Sequence, residues 1–587
     1  MVLKVLRNEM KKNKIDCYII PTLDPHSSEY LPDYYKERQF VTGFTGSAGT
    51  AVVTNSDAFL WTDGRYFIQA ESQIKDNGFK LMKIGIEGYP TIIEWLSDNL
   101  KSGSVLGLNA KYYLQSDFEN LELKLNKNNI SIIDIDLIKD IWQDRISLPN
   151  SKVFIHEHKY SGRTSEQKIE DVRKVLSENN ANLTIISKLD DIAWLFNIRC
   201  NDIEHTPVVI SYAIVEMEKV YIFINKDKLD DNVIKYLSSF SEIINYDDVF
   251  EHVKKYFETN IYIDKSSINH KLFSEINESN NVISGDDLIE GLKTVKNPIE
   301  IQNIKNAHIR DGVALTKFIY WIKRIVKDEI ITEYEAAQKL RKFREEQALF
   351  TDESFETISA YGKNAAMMHY SASEEKASVI ENKGFLLVDS GAQYLDGTTD
   401  ITRTIAVGEL TDEEITDFTY VLKSHFVLSS AVFLKGTKDS ALDAIARYPL
   451  WKIHSDYKCG TGHGVGYFLG VHENPPWLSP RALGSEIKEG MIFSDEPGVY
   501  KEGKFGIRTE NILEVVKDIE NESGIFLKFN LISFAPIERE AINVNLLDDF
   551  ELKALNEYHK EVYEKISPFL NSEERSWLYE VTKEMSK

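Results

Sequence analysis

An apolar strand that ends on a carboxylate, with a second acid-bearing strand close behind it, leaves a chain few ways to fold. Residues 385–405 have that form: Phe385-Leu-Leu-Val-Asp389-Ser-Gly-Ala-Gln-Tyr-Leu-Asp-Gly-Thr-Thr-Asp400-Ile-Thr-Arg-Thr-Ile. The run 385–388 reads as a buried strand. The alternation over Thr399–Val407 reads as its partner, with a polar, glycine-containing loop between them. A symmetric loop sets Asp389 opposite Asp400, and cross-strand Cβ atoms lie about 4.5–5.5 Å apart. Two carboxylates that close on a buried face repel, so one is protonated or a cation lies between them. Taken alone, the pair reads equally as two loop acids facing water.

A second segment repeats the pattern. Met491-Ile-Phe-Ser-Asp-Glu496-Pro-Gly-Val-Tyr leads through a turn to Phe505-Gly-Ile-Arg508-Thr-Glu510-Asn-Ile-Leu. Strand alternation gives Glu510 a face shared with Arg508 and Ile512. A buried glutamate needs a counter-charge, and a salt bridge to Arg508 would supply one. Between the two hairpins lies Cys459-Gly460-Thr-Gly462-His463-Gly464-Val-Gly466. Its glycine spacing misses the dinucleotide fingerprint, and no Gly-Lys-Ser/Thr follows. Alternating glycines let backbone approach His463 on both sides; a lone histidine in such a loop is otherwise structural.

Together the segments offer two Asp, one His and two Glu. Four carboxylates carry −4 against a neutral imidazole, and two divalent cations bring the sum to zero. Carboxylate-rich donors suit Mn(II), and one imidazole also tolerates Zn(II) or Co(II). Two such ions generate hydroxide near neutral pH and clamp a carbonyl oxygen.

The first part of the chain carries a faint repeat. A helix over 3–13, a strand over Asp16–Ile20 and paired runs Thr50–Val53 and Ala58–Trp61 recur as Lys168–Glu178, Leu183–Ile186, Val208–Val215 and Val220–Ile224. The spacing of about 166 residues is that of a domain pair and exceeds solenoid periods. Chance likeness of two ordinary α/β units is the alternative. A boundary near Leu292, with Pro298 suited to a first helical turn, precedes a helix over Ile299–Val326. Thr411 with Glu414 makes a capping box, and the tail from Asp548 to Met585 has helical spacing with no special chemistry. The expected division is 1–150 and 151–291, two related α/β domains, then 292–587, a mixed α/β and α+β catalytic domain.

The chain has 69 basic and 93 acidic residues, a net charge of −24. That argues against nucleic acid and anionic membrane surfaces as partners. Three cysteines make no disulfide framework. No signal-peptide core or membrane-length apolar stretch is read. The expectation is a soluble, cytoplasmic, multidomain protein.

The ordered acid-and-histidine set resembles the pita-bread metallopeptidases, a family that includes methionine aminopeptidase, prolidase and aminopeptidase P. The family's metal ligands match Asp389, Asp400, His463, Glu496 and Glu510 in this order, which argues against the metal-free and non-catalytic relatives. Two creatinase-like N-terminal domains before a pita-bread domain are similar to the three-domain Xaa-Pro aminopeptidases. So are the strings Phe44-Thr-Gly-Ser-Ala-Gly-Thr, Trp61-Thr-Asp-Gly-Arg-Tyr-Phe and Asn364-Ala-Ala-Met-Met-His369-Tyr. The resemblance implies cleavage of an N-terminal Xaa-Pro bond by a hydroxide bridging two metal ions. It makes Glu496 the proton shuttle, His472 the oxyanion stabiliser and His369 a substrate contact near the proline. It also implies a homodimer. Prolidase-type dipeptidase activity, or a non-enzymatic binding role, are the alternatives. Cys459 stands where the family often has a third site histidine; with Arg508 it is expected to line the site without ligating.

Overall fold

The computed structural model describes residues 2–368, 370–482 and 484–587. It divides into two compact units, one of residues up to Ile155 with Arg163–Ile289, the other of His156–Gly162 with Glu290–Lys587.

The first unit holds two six-stranded sheets of one design. In the first, β1 (Cys17–Pro21), β2 (Thr50–Thr54), β3 (Ala58–Thr62), β4 (Lys80–Lys83), β5 (Val105–Leu108) and β6 (Ser131–Asp134) lie in the order β4-β3-β2-β1-β5-β6. The second contains β7 (Leu183–Ile186), β8 (Ser211–Glu216), β9 (Val220–Ile224), β10 (Glu242–Ile244), β11 (Asn260–Ile263) and β12 (Asn281–Ser284). Its order is β10-β9-β8-β7-β11-β12. The central strands β1 and β7 each pair antiparallel on one side and parallel on the other. The repeat is therefore one of topology, strand for strand. Its hairpin turns are the polar breaks at Asn55-Ser-Asp and Glu216-Met-Glu, and Thr54 closes the first by hydrogen bonding with Asp57. In the parallel ladders Tyr18 stands beside Gly107 and Thr184 beside Tyr262. A Cβ on Gly107 would come 3.0 Å from the Tyr18 ring.

The second unit opens with helix α1 (Pro298–Ile325). Pro298 takes the first turn, where it loses no hydrogen bond, and Asn297 with Glu300 forms a capping box. Its inner face (Leu315, Phe318, Ile319, Ile322) packs on Leu386, Val388 and Ile405. These belong to a three-stranded sheet of β13 (Ile358–Tyr361), β14 (Phe385–Ser390) and β15 (Ile401–Ala406). A six-stranded antiparallel sheet runs 432–434, 524–531, 511–521, 492–495, 462–464, 473–478. Helix α2 (Asp412–Ser429) starts at the Thr411–Glu414 capping box, and α3 (Asp549–Ile566) buries Leu555, Tyr558 and Val562 in the same core.

One expectation needs correction. Asp389 pairs with Thr402, and Asp400 lies outside the ladder. The connecting segment is not an open symmetric loop. Residues 392–394 and 397–398 form their own small ladder, closing on the two-residue turn Leu395–Asp396. That moves the centre of the hairpin one residue along the chain and breaks the direct opposition of the two acids.

Candidate metal centre

Asp389 is the next-to-last residue of the buried strand β14, and Asp400 leads into β15. Glu496 follows the strand Ile492–Asp495. Glu510 sits in the gap between strands Phe505–Arg508 and Asn511–Asn521. His463 is the middle of a three-residue strand, Gly462–Gly464. The glycines there are steric necessities: a Cβ on Gly462 would lie 1.9 Å from the Ser494 carbonyl oxygen.

These positions bring the acids and the imidazole together. One ligand atom each from Asp400, His463 and Glu510 lie within 4.8 Å of one another. His463 Nε2 is 3.5 Å from Asp400 Oδ2 and 3.5 Å from Glu496 Oε1. His463 Nδ1 is 2.8 Å from the Gly464 carbonyl oxygen. A carbonyl only accepts, so Nδ1 carries a proton and Nε2 is the nitrogen turned to the acids, the orientation a metal-binding histidine requires. The backbone N–H of His463 donates to Ser494 Oγ at 3.0 Å, and that hydroxyl donates to Glu496 Oε1 at 3.1 Å. Thr402 Oγ1 donates to Glu510 Oε2 at 2.6 Å.

Arg508, read as a counter-charge for Glu510, is turned to Asp389 instead. Its Nη2 donates to Asp389 Oδ2 at 2.5 Å, its Nη1 to Tyr500 Oη and its Nε to Thr402 Oγ1. The strand breaks at Thr509, so alternation does not carry through to Glu510. The second Asp389 oxygen, Oδ1, is buried with no hydrogen-bond partner.

The electrostatics call for cations. Burial holds the Asp400 carboxyl far above the ordinary range, with the charges of Asp389 and Glu496 pushing the same way. Glu510 is raised likewise by burial, then by Asp400, Asp389 and Glu496. Glu496 is pushed up to about 7 by burial, against the opposing pull of Arg508. One arginine does not balance four acids at this spacing. A bare buried oxygen on Asp389 and hard oxygen donors with a single oriented imidazole fit divalent cations.

The remaining expected residues fall as follows. The His472 ring is exposed and lies edge-on to His463, with centroids 4.3 Å apart. Cys459 is half-buried, and its thiol is pushed up to about 11 by burial and the Glu496 charge, so it stays protonated at neutral pH. His369 lies outside the described residues. Sequence reasoning passed over Thr402, Ser494 and Glu333. The Glu333 carboxylate is buried and accepts from Tyr361 N, Asn364 Nδ2, Tyr370 Oη and Ser378 N, tying down the segment on both sides of position 369. An acid in the first turn of a capped helix looks like ordinary dipole chemistry, and no local signal marks it otherwise.

Models of the creatinase/prolidase N-terminal domain match residues 3–141 and 144–300. A model of metallopeptidase family M24 matches residues 302–517, and one of the C-terminal region of that peptidase matches 525–585. The protein named "Probable Xaa-Pro aminopeptidase P" in Aspergillus flavus is 39% identical over 606 residues, spanning 99% of this chain and 92% of the fungal one. This chain belongs to metallopeptidase family M24. A family relative of solved structure is the X-prolyl aminopeptidase of Caenorhabditis elegans, described as a cytosolic enzyme with a di-nuclear active site. It matches with a TM-score of 0.94 and 33% identity over 100% of both chains. The Xaa-Pro dipeptidase of Bacillus anthracis shares the fold over 64% of this chain, with a TM-score of 0.52 and 24% identity. The family architecture of two creatinase-like domains before an M24 catalytic domain thus spans the chain. Among the described residues no helix is long and apolar enough to cross a membrane.

Proposed function

We propose that this chain is a two-metal Xaa-Pro aminopeptidase, releasing the first residue of peptides whose second residue is proline. The observation that carries the reading is the convergence of Asp400, His463, Glu510 and Glu496, with Asp389 near enough for its charge to raise Asp400 and Glu510 and holding a buried, unpartnered oxygen. These five residues hold the ions, with Mn(II) the best match to the donor set and Zn(II) or Co(II) alternatives. When bound, such an ion pair supplies hydroxide near neutral pH and polarises the scissile carbonyl. Glu496 is read as the group that takes and returns the proton. His472, exposed beside His463, is read as the donor to the developing oxyanion, and His369 as the contact near the proline. Arg508 orients Asp389. Cys459, its thiol protonated, lines the site without ligating. The proline nitrogen carries no N–H, so a site for this bond must do without that handle.

The same reading takes the chain as a cytoplasmic homodimer with domains at 1–150, 151–291 and 292–587. Sedimentation velocity tests the dimer. The activity is tested with the Mn(II)-loaded chain on an Xaa-Pro-Pro tripeptide, the matching Xaa-Pro dipeptide and an Xaa-Ala-Pro control. Release of the first residue from the tripeptide alone is the expected result. Cleavage of the dipeptide alone, or of nothing, overturns the reading.

A further inference from the structure

Helix α3 lies in the C-terminal segment that carried no chemistry in sequence, yet one of its side chains reaches the back of the metal centre. Tyr558 is 4% exposed, its ring packed in the core. Its hydroxyl accepts from Arg403 Nη2 at 2.6 Å and from Ala535 N at 3.2 Å. Its one proton is shared among Asn511 Oδ1, Ser533 O and Ala535 O, all at 3.0–3.2 Å.

Arg403 is 2% exposed and makes no ion pair with an acid among the described residues; its guanidinium goes to backbone carbonyls, the Asn511 amide oxygen and the Tyr558 hydroxyl. Nη1 donates to the carbonyl oxygens of Glu510 at 2.6 Å and Thr402 at 2.8 Å. Nη2 donates to Asn511 Oδ1 and Ala535 O, both at 2.9 Å. Glu510 lies in a gap between strands, so no ladder holds its carbonyl. Arg403 does so, and Thr402, clamped by the same nitrogen, donates to the Glu510 carboxylate. Toward the other glutamate, Asn511 Nδ2 is 2.9 Å from His425 Nε2, and His425 faces Asp495, one residue before Glu496, at ion-pair distance, 2.8 Å from Nδ1 to Oδ2, without hydrogen-bond geometry. Asn511, His425 and Asp495 are fully buried.

We propose that Tyr558 is a positioning residue of the metal centre, holding Arg403 and Asn511 so that Glu510 and Glu496 stand at ligating geometry. A buried polar chain of this size is not the cheapest way to fill a core, since well-packed apolar side chains stabilise as well or better. What it provides is placement. Ligand constellations must be held to about 0.5 Å, and the outer partners of metal ligands typically change metal affinity or activity by about 10–100-fold when lost. The C-terminal region is, on this account, a working part of the site.

The inference rests on Glu496 and Glu510 being ligands, and the test separates the two claims. Tyr558→Phe keeps the ring and removes the hub oxygen. Mn(II) affinity is measured by competition with a chelating dye, alongside Tm, kcat and KM. Tyr558→Phe is expected to weaken Mn(II) binding about tenfold, with KM within about twofold of the parent. Val562→Ala, in the same helix and core, is expected to lower Tm with Mn(II) affinity unchanged. Arg403→Lys, which keeps the charge and loses the fork, should weaken Mn(II) binding at least as much as Tyr558→Phe. Parent-like Mn(II) affinity in Tyr558→Phe overturns the proposal, as does an equal loss in Val562→Ala. If Glu510→Ala also binds Mn(II) as the parent does, the ligand reading itself has failed. If Glu510→Ala loses metal while Tyr558→Phe does not, only the positioning role has.

Discussion

Removing a site carboxylate should stabilise this protein when no metal is bound. Glu496 has the ordinary glutamate value near 4.5 when unfolded and is pushed up to about 7 in the fold by burial. A carboxyl with a raised folded pKa binds its proton more tightly in the fold. Its stabilising contribution is full below about 4.5 and is lost as pH climbs through about 7. At about 1.36 kcal/mol per tenfold, keeping Glu496 ionised in the folded, metal-free chain costs about 3 kcal/mol by pH 8. Glu496→Gln removes the charge and keeps an oxygen to accept from Ser494 Oγ, which lies 3.1 Å from Oε1. The metal-free variant should then melt roughly 5 °C above the metal-free parent at pH 8, taking about 1.6 °C per kcal/mol for a unit of about 300 residues. At pH 4 the two should melt together. Comparing the pair at each pH cancels the titrating groups that do not feel Glu496, such as the buried His559, held at about 3 by burial. Mn(II) should reverse the order at pH 8, because cations compensate the ionised parent and the variant has lost a ligand. Differential scanning calorimetry of both chains, chelated and loaded, supplies the four curves. A Tm difference independent of pH, or a metal-free variant less stable than the parent at pH 8, would refute the electrostatic account of the site.

Asp400→Ala and Glu510→Ala should each lose Mn(II) and turnover far more than stability; parent-like turnover in either excludes that residue as a ligand. Cys459→Ser should retain Mn(II) content and most activity, because the thiol stays protonated at neutral pH; loss of metal by elemental analysis would make the sulfur a ligand after all. Arg344→Met should cost about 3–5 kcal/mol in denaturant melts. The guanidinium meets both oxygens of the buried Asp311 at 2.9 and 3.0 Å, and adding Asp311→Leu should restore most of the loss.

The site was legible in sequence where chemistry and element type coincide. Acids ending apolar runs mark Asp389 and Glu496, and the glycines around His463 mark a backbone crossing that the Ser494 carbonyl fills. What escaped depended on register and on distant partners. Asp389 faces Thr402 because the loop folds on its own turn at Leu395–Asp396, and turn position cannot be read from apolar alternation. Glu510 looked like a mid-strand residue, yet the ladder breaks at Thr509 and Arg508 turns to Asp389. Tyr558 and Glu333 look ordinary along the chain; their roles come from partners far away in sequence. The N-terminal repeat showed through its central strands and hairpins, which carry the longest apolar runs. The flanking strands, such as Ser131–Asp134 and Asn281–Ser284, are short and part-exposed and gave no comparable signal.

Two sheets of like order in one chain create a problem of self-recognition. Backbone ladders are blind to sequence, so β1 and β7 could each compete for the other's neighbours during folding. Side chains supply the discrimination. Beside its parallel neighbour, β1 sets Tyr18 over Gly107, and β7 sets Thr184 beside Tyr262. Exchanging the strands would crowd two tyrosines together in one sheet and leave threonine over bare glycine in the other. Overpacking costs about 1–3 kcal/mol, and the void in the other sheet adds its own penalty. A strand-exchanged chain therefore pays twice for a single error, and each domain is told from its twin by which of two adjoining strands carries the tyrosine.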